Sequence, residues 1–354
     1  MPDGITKYRV ASTPSQKIVA AGVVLGFCYL GASVVVTILV SILLAYFLDP
    51  AVNALEKIHL PRGLASLIMV LVTLTAIGAV CWVLMERADE FGRDWPLYRA
   101  PISKAVGAID KHLSSFEARV NEITPAAPKS RRPVIEVEQP AHPVREVLFE
   151  RLQSVYPLLM GMTFIPFLVF FMLAAKRQVW YATIKLFPLQ HRSDAEHALE
   201  ELSTMLRGYV IGILLVCAVL VAASWGFFWY MGFNFPFMIA LISGVLNIIP
   251  YIGLPLAWIP PFVIGLGQFA TPGIFIGTAV MLTAFHLISA NVLFPAFIGR
   301  RLHLNAVALT ISLLFWGWLW GAIGLLLAIP ITAGLKVACD HVESWRPFGQ
   351  WLGA

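Results

Sequence analysis

The sequence predicts an all-α, polytopic membrane protein, mainly because charge is scarce and confined to a few segments. Hydrophobic residues make up 59% of the 354 positions and charged residues only 13%, against about 25% in a typical soluble domain. Residues 208–335 contain only two charges, Arg300 and Arg301, whereas residues 86–151 contain nearly half of all acidic and basic side chains. A lone charge at mid-bilayer costs about 2.5–3.5 kcal/mol on insertion scales. The long uncharged runs are therefore predicted to lie in lipid.

The first part of the chain predicts two or three crossings. Residues 18–48 carry no charge and are long enough for one long helix or for a tight helical pair broken near Gly31. Asp49-Pro50 is predicted to end this run. Residues 63–85 are also uncharged and match the roughly 20 residues that one helical span requires.

The polar segment that follows, 86–151, is predicted to lie outside the membrane, on the periplasmic side. Apolar side chains recur every three or four residues over 102–123, which predicts an amphipathic helix beginning near Pro101. Its apolar seam either packs on the same chain or contacts another subunit, and the second reading predicts a homo-oligomer through 102–123. The proline-rich stretch 124–145 is interpreted as a linker.

The middle of the chain alternates once more between apolar and polar. Residues 152–175 predict a span. The polar residues 176–207 predict an amphipathic helical region with a capping box at Ser193 and Glu196. The chain is thus divided into 1–85 (N-terminal membrane segments), 86–151 (extramembrane), 152–175 (span), 176–207 (cytoplasmic), 208–337 (broken-helix transport half) and 338–354 (cytoplasmic tail).

The distribution of Lys and Arg predicts the orientation, because short cytoplasmic loops are enriched in both. If the N-terminus is inside and 18–48 is a pair, the basic residues of the short polar segments all fall inside, and the nearly neutral 86–151 falls outside. We therefore expect a bacterial inner membrane location with both termini in the cytoplasm. Arg300 and Arg301 also fall inside if 235–267 and 305–335 each enter and leave on one side, as bent hairpins.

The two hairpin stretches share a sequence skeleton. Ile-Gly-Leu, then Leu-Ala, then Ile-Pro occurs over 252–260 and again over 323–330. Glycine and proline that interrupt a membrane helix leave backbone groups that must face a cavity or a ligand. At the first break, Asn247 either caps the broken backbone or contacts a ligand. The stretch 316–321 is read as an interface belt or, preferably, as a tightly packed turn.

Polar groups within the apolar half complete the candidate site. His286 is interpreted either as a hydrogen-bonding partner between helices or as part of a proton relay. The candidate substrate-binding or gating residues are Asn247, Pro250, Tyr251, Gly253, His286, Asn291, Pro295, Gly299, Gly321, Gly324 and Pro330.

Several motifs together resemble the autoinducer-2 exporter family of bacterial permeases. They are Leu206–Gly212 with its Gly-Tyr pair, Leu246–Gly253, Asn291 with Pro295 and Gly299, and Gly321, Gly324 and Ala328-Ile329-Pro330. The resemblance implies a permease with about eight hydrophobic segments, whose members export autoinducer-2 or are linked to sodium or lithium efflux against protons. The chain departs from the family pattern at Ile213, Ala290 and Asn305-Ala306.

We therefore expect a secondary transporter of a small polar solute or cation, with the lipid bilayer as its surroundings. A non-transporting membrane scaffold that uses 102–123 is the alternative. An enzyme is not expected, because the sequence has no His-Glu-x-x-His, no Gly-x-Ser-x-Gly and no carboxylate pair within a span. No cofactor or metal is implied. Nucleic acid is not an expected partner, because no basic cluster has interleaved aromatic residues.

Overall fold

The structure, a computed structural model, describes residues 14–123, 161–297 and 304–353, and this part of the chain is helical without strands. The helices are α1 Pro14–Leu30, α2 Ala32–Lys57, α3 Arg62–Ile123, α4 Gly161–Ala174, α5 Lys176–Lys185, α6 Arg192–Tyr230, α7 Pro236–Leu246, α8 Gly253–Gln268, α9 Pro272–Ile288, α10 Phe294–Phe297, α11 Ala306–His341 and α12 Arg346–Gly353. Among them, five are long and apolar enough to cross a membrane, or up to six if α4 and α5, bent by 76°, form one span. The prediction of an all-α polytopic protein is confirmed. The predicted linker 124–145 lies outside the described residues.

The uncharged run 18–48 is interrupted at Gly31, between α1 and α2. Gly31 has φ −93° and ψ 20°, which depart from helical values. The flanking hydrogen bonds nevertheless persist, from Gly31 N to Phe27 O (2.8 Å) and from Val35 N to Gly31 O (3.0 Å). The predicted break is therefore present, in the form of a local kink.

The prediction that Asp49-Pro50 ends the helix of this run is wrong. Helix α2 continues through both residues to Lys57. Pro50 removes one backbone hydrogen bond, but the turn around it is held by tertiary contacts. Leu48 and Val52 are buried in a core with α3 and α4, and the Asp49 carboxylate is bound by cations from three other helices.

Helix α3 is longer than the sequence indicates. It runs from Arg62 to Ile123 without a break, and both Pro96 and Pro101 lie inside it, so the prediction that a separate helix begins near Pro101 is wrong. Tyr98, between the two prolines, is buried in an aromatic core that holds this part of the helix. A helix of this length extends about 93 Å, far more than the roughly 30 Å of a hydrocarbon core, so α3 protrudes from the bilayer.

Helix α6 connects the two ends of the molecule. It starts at Arg192, preceded by His191 with no side-chain cap, so the predicted capping box at Ser193 and Glu196 is wrong. Near its start, Met205 packs against Ala333 and Val337 of α11. Near its end, Phe227 and Phe228 join the aromatic core, hereafter the Tyr98 core, formed by Tyr98, Phe228, Phe233, Ile239, Ala240, Ile264 and Leu282.

Both predicted hairpins are present. Hairpin 1 consists of α7, the tip 247–252 and α8. Hairpin 2 is α11, which folds back at Gly321, where φ is +62° and ψ −140°. The Ser312 hydroxyl consequently contacts that of Thr332, although twenty residues of straight helix would separate them by about 30 Å. The stretch 316–321 thus leads into the turn, and Gly317 in it packs closely against Leu325 of the second arm. Trp318 is 76% exposed, so the reading as an interface belt stays a prediction.

The open ends of the two hairpins lie at opposite ends of α6. Hairpin 1 opens at the Tyr98 core, where Gln268 Nε2 donates to Gly232 O and Gln268 Oε1 accepts from Asn234 N. Hairpin 2 opens beside the start of α6, where Leu202 and Met205 pack against its second arm. We call these the Tyr98 end and the Asp49 end of the molecule.

Candidate functional site

The tip of hairpin 1 brings together two polar side chains that are 39 positions apart. Asn247 follows α7 and is only 6% exposed. Its Oδ1 lies 2.6 Å from Nδ1 of His286, in the last turn of α9. With Asn247 Oδ1 as the acceptor, the ring N–H of Nδ1 donates, which leaves Nε2 as the remaining acceptor of the imidazole. The predicted contact of His286 between helices is thus formed, and Asn247 is its partner.

Tyr251 at the same tip holds a backbone conformation that is rare for a non-glycine residue. Its φ is +65°, in the left-handed region where a side chain crowds the backbone. The side chain is 68% exposed, and its hydroxyl lies 3.5 Å from Thr310 Oγ1 in the first arm of hairpin 2. Strained residues of this kind are concentrated at ligand clamps and switch regions.

Gly253 lets the two arms of hairpin 1 meet closely behind the tip. A Cβ at this position would lie 2.6 Å from Leu246 O and 2.8 Å from Asn247 O. The preceding Pro250 has no amide to donate, and the amide of Gly253 donates to Ile249 O (2.8 Å). The motif Asn247–Gly253 therefore produces a compact turn that is closed by local backbone hydrogen bonds.

Hairpin 2 repeats this construction at the corresponding positions. Gly324 follows its tip, as Gly253 follows the first tip, and a Cβ on Gly324 would collide with Trp316 O in the opposite arm. Ala257 and Ala328, four residues after each glycine, are both fully buried. The shared sequence skeleton thus occupies equivalent places in two hairpins that open at opposite ends of the molecule.

Pro330 in the second arm of hairpin 2 has a specific partner in α6. A helical proline leaves the carbonyl four residues earlier without its amide donor, which here is Leu326 O. The hydroxyl of the buried Tyr209 donates to this oxygen at 2.9 Å. Tyr209 belongs to the Gly-Tyr motif at the start of the apolar half. This motif is therefore joined to the Ile329-Pro330 motif by a single hydrogen bond.

The other predicted site residues do not join the tip of hairpin 1. Gly321 lies at the tip of hairpin 2, where the neighbouring Trp320 donates to Cys28 O in α1 (3.1 Å). Asn291 is in a π-helical turn and donates to Leu287 O of its own helix (2.8 Å). Pro295 is exposed in α10, and Gly299 lies outside the described residues.

Two further buried hydroxyls flank the Asn247–His286 pair. Ser243 lies one turn before Asn247 in α7, and Thr278 lies two turns before His286 in α9. Both are 1% exposed, and neither hydroxyl has a hydrogen-bond partner among the residues that the structure describes. Buried polar groups are nearly always paired, so these two hydroxyls are exceptions in the apolar half of the chain.

A second polar cluster, at the Asp49 end, was missed by the sequence analysis. Asp49 is 1% exposed and accepts from Arg62 Nη2 (2.9 Å), Lys176 Nζ (2.7 Å) and Arg207 Nη2 (3.0 Å). Arg62 also binds Glu56 at 2.7 Å. We call these residues with Asn53 the Asp49 cluster. The available signal was an acidic residue directly after a long uncharged run, in a chain whose short polar segments are mostly basic.

Three cavities also lie toward the Asp49 end. A polar cavity of about 430 Å³ is lined by residues that include Arg62, Lys176 and Trp180. An apolar cavity of about 300 Å³ shares Lys176 and Trp180 with it. A third, of about 270 Å³, runs beside Pro330 between α2, α6 and hairpin 2. Within the described residues, no group of three or more His, Cys, Asp or Glu side chains is arranged to hold a metal ion.

Comparison with known proteins agrees with this architecture. A family model described as AI-2E family transporter matches residues 18–344. The chain belongs to the AI-2E transporter family. Similar proteins include the putative transport protein YrrI of Bacillus subtilis (27% identity over 89% of this chain and 88% of YrrI) and the AI-2 transport protein TqsA of Escherichia coli K12 (26%, 88% and 86%). Another is the putative permease PerM of the same E. coli strain, with 25% identity over 92% of this chain and 91% of PerM.

Membership of the AI-2E transporter family makes the chain a membrane transporter of a small solute. The relatives carry the names of transporters and permeases rather than of enzymes. The resemblance in the motifs around Tyr209, Asn247 and Pro330 is thus confirmed at the level of the family.

Proposed function

We propose that this AI-2E family protein is a secondary transporter in a bacterial inner membrane, carrying an autoinducer-2-like polar solute or a monovalent cation outward in exchange for protons. Asn247 and His286 contact the solute, and the tip of hairpin 1 gates it. The observation that carries this proposal is the partly buried Asn247–His286 hydrogen bond at a broken membrane helix. Such a pair offers a donor and acceptors to a polar solute, and imidazole is the side chain that exchanges protons near neutral pH.

The opposed hairpins support transport over a static scaffold. Secondary transporters commonly place discontinuous helices from two internal repeats around a central site. Here Tyr251 of hairpin 1 reaches Thr310 in the first arm of hairpin 2. A movement of one hairpin relative to the other would open the tip toward one side of the membrane and then toward the other.

Solute flux in proteoliposomes tests the proposal under imposed proton and sodium gradients. We expect Asn247→Ala to lower autoinducer-2 or cation flux at least about tenfold, because losing a buried hydrogen-bonding group costs about 1–3 kcal/mol. Gly253→Leu should abolish flux, since its side chain would displace the tip.

Asn234→Ala is the matched control, because Asn234 lies at the open end of hairpin 1, exposed, and donates to the Tyr98 hydroxyl at 3.3 Å. Its flux should stay at the level of the parent protein. Equal flux in the Asn247 variant, the Gly253 variant and the parent would remove the site assignment.

We further propose a homo-oligomer through 102–123. In this part of α3, Ile102 packs against the Tyr98 core, and the described side chains after it, including Lys104, Gly107 and Asp110, are exposed. Deleting 102–123 should reduce the particle mass measured in detergent by light scattering to that of one chain. An unchanged mass would exclude this segment as the contact.

The proposal also includes the orientation of the protein in the membrane. The Asp49 end, with the C-terminal helix α12, is placed in the cytoplasm because Lys176, Arg62 and Arg207 lie there and short cytoplasmic loops are rich in basic residues. Residues 86–151 are proposed to lie on the periplasmic side. A cytoplasmic N-terminus is also proposed, and it requires α1 to fold back along α2 at Gly31, a sharper bend than the local kink between them.

A further inference from the structure

We propose that the two adjoining cavities at the Asp49 end bind one anionic phospholipid, with its phosphate in the polar cavity and an acyl chain in the apolar cavity. The two cavities share the lining residues Lys176 and Trp180. The first cavity has a lining rich in charged and hydroxyl-bearing side chains, and the second has a mainly apolar lining. An amphiphile is the class of ligand that matches both linings at once.

The cations around the polar cavity leave hydrogen-bond donors for a phosphate. Arg62 uses four of its five N–H groups, because it donates to Asp49, Asn53, Glu56 and Leu173 O. Lys176, in contrast, has three N–H groups and Asp49 as its one partner among the described contacts.

Arg177 is also available to a ligand. Its side chain is 76% exposed, and its nearest carboxylate oxygen, on Glu56, is 3.6 Å away. Arg207 belongs to the Asp49 cluster, and its Nε is buried with no partner in the described part of the chain. Cations with unused donors are the groups that bind phosphate.

The charge balance favours an anion, although acidic groups are present. Four cations, Arg62, Lys176, Arg177 and Arg207, face the carboxylates of Asp49, Glu56 and Glu200. The Asp49 carboxylate forms ion pairs with three of these cations, which neutralise its charge. Its repulsion of an anionic ligand is therefore small. Ser203 and Thr204 add hydroxyl groups to the same lining.

The apolar cavity favours a lipid over a free phosphate ion as the ligand. Most of its wall consists of apolar side chains from α2, α4, α5 and α6, among them Ile42, Met172, Val179, Leu199, Leu202 and Leu206. Its polar lining residues are Tyr46, Thr183, Lys176 and Asp49, and the last two are paired with each other. Trp180 and Tyr181 lie at the mouth of the polar cavity, and these residue types prefer the headgroup level of a bilayer. Basic pockets between membrane helices with this arrangement bind anionic headgroups.

The test counts lipids retained by the purified full-length protein in native mass spectrometry. Phosphatidylglycerol should be retained at least about fivefold over phosphatidylcholine with the same acyl chains. Arg177→Gln should lower phosphatidylglycerol retention by about fivefold, the contribution of one basic residue near a headgroup. Lys185→Gln removes the same charge from an exposed position outside the cavity and should leave retention unchanged.

Two further arms separate a lipid from a soluble anion. Thr183→Trp fills part of the apolar cavity and should lower lipid retention. Inorganic phosphate, added at the lipid's concentration, should not displace phosphatidylglycerol. Equal retention of the two lipids, equal loss in the Arg177 and Lys185 variants, or displacement by phosphate with no effect of Thr183→Trp would each overturn the proposal.

Discussion

At the scale of single residues, Asp49 is the side chain on which one end of the molecule depends. Its buried carboxylate neutralises Arg62 of α3, Lys176 of α5 and Arg207 of α6. The loss of one partner from a buried ion pair leaves the others uncompensated and costs about 3–5 kcal/mol. We therefore expect Asp49→Asn, which keeps the shape of the side chain, to lower thermal stability in detergent by this amount.

Glu56→Gln is the control for Asp49→Asn. Glu56 also binds Arg62, at 2.7 Å, but its side chain is 22% exposed and Arg62 keeps its bond to Asp49. A partly solvated pair contributes about 1 kcal/mol or less. Equal losses of stability in the two variants would show that burial of Asp49 is not what makes it important.

The residue scale also shows what a sequence can and cannot predict about the site. Asn247 and His286 were each singled out, because a polar side chain in an apolar segment must find a partner. That they are partners of each other depends on how hairpin 1 packs against α9, which spacing alone does not show. Asp49 was read as a helix end, because the basic residues that bind it lie up to 158 positions away.

At the scale of elements, hairpin 2 depends on the backbone of Gly321. Its φ of +62° and ψ of −140° lie close to a region that essentially only glycine occupies, and other residues there cost about 1–3 kcal/mol. Gly321→Ala should lower the free energy of unfolding by about 1–3 kcal/mol, seen as a lower melting temperature in detergent. This loss is expected even though a Cβ would meet open space.

Gly277→Ala is the matched substitution within a regular helix, because Gly277 lies inside α9 and its Cβ would also meet nothing within 4 Å. It should leave stability unchanged or raise it by up to about 1 kcal/mol, since alanine favours helix. If both alanines behaved alike, the sharp turn at Gly321 would not be the conformation in solution.

The contact between α6 and hairpin 2 predicts that the effect of Tyr209→Phe depends on Pro330. Tyr209→Phe removes the donor to Leu326 O and should cost about 1–3 kcal/mol, because that buried carbonyl is then unpaired. In Pro330→Ala the helix supplies its own amide to this oxygen, so Tyr209→Phe should cost clearly less in that background.

Tyr181→Phe serves as the reference for Tyr209→Phe, since Tyr181 is 62% exposed and its hydroxyl can remain hydrated. It should change stability by less than about 0.5 kcal/mol. Full additivity of the Tyr209 and Pro330 substitutions would show that the two residues do not share one contact.

Proline explains both the successes and the errors in predicting the elements. At 250 and 330, proline occurs with glycine nearby, and the sequence correctly indicated broken hairpins. Pro50 predicts a helix end and Pro101 a helix start, but α2 and α3 continue through these positions. The difference lies in tertiary contacts, such as those of Asp49 and Tyr98, which stabilise the flanking turns and which local propensity does not include.

At the scale of the whole molecule, the hairpin topology follows from the requirement that charges stay out of the lipid. Arg300 and Arg301 could be placed with the other basic residues only if 235–267 and 305–335 turned back. The structure has both hairpins, with open ends at opposite ends of α6. The continuous length of α3 was not foreseen, because the polar composition after residue 85 resembles that of a separate domain.

The opposed hairpins predict which connections are accessible from each side of the membrane. Gln190 is exposed in the connection between α5 and α6 at the Asp49 end, and Thr271 is exposed before α9 at the Tyr98 end. With the Asp49 end in the cytoplasm, an impermeant maleimide should label Thr271→Cys in intact cells and Gln190→Cys only after permeabilisation. The parent chain, with its four native cysteines, gives the background, and labelling of lysed cells shows that both positions react. Labelling of both cysteines from the same side would contradict a molecule whose hairpins open on opposite faces of the bilayer.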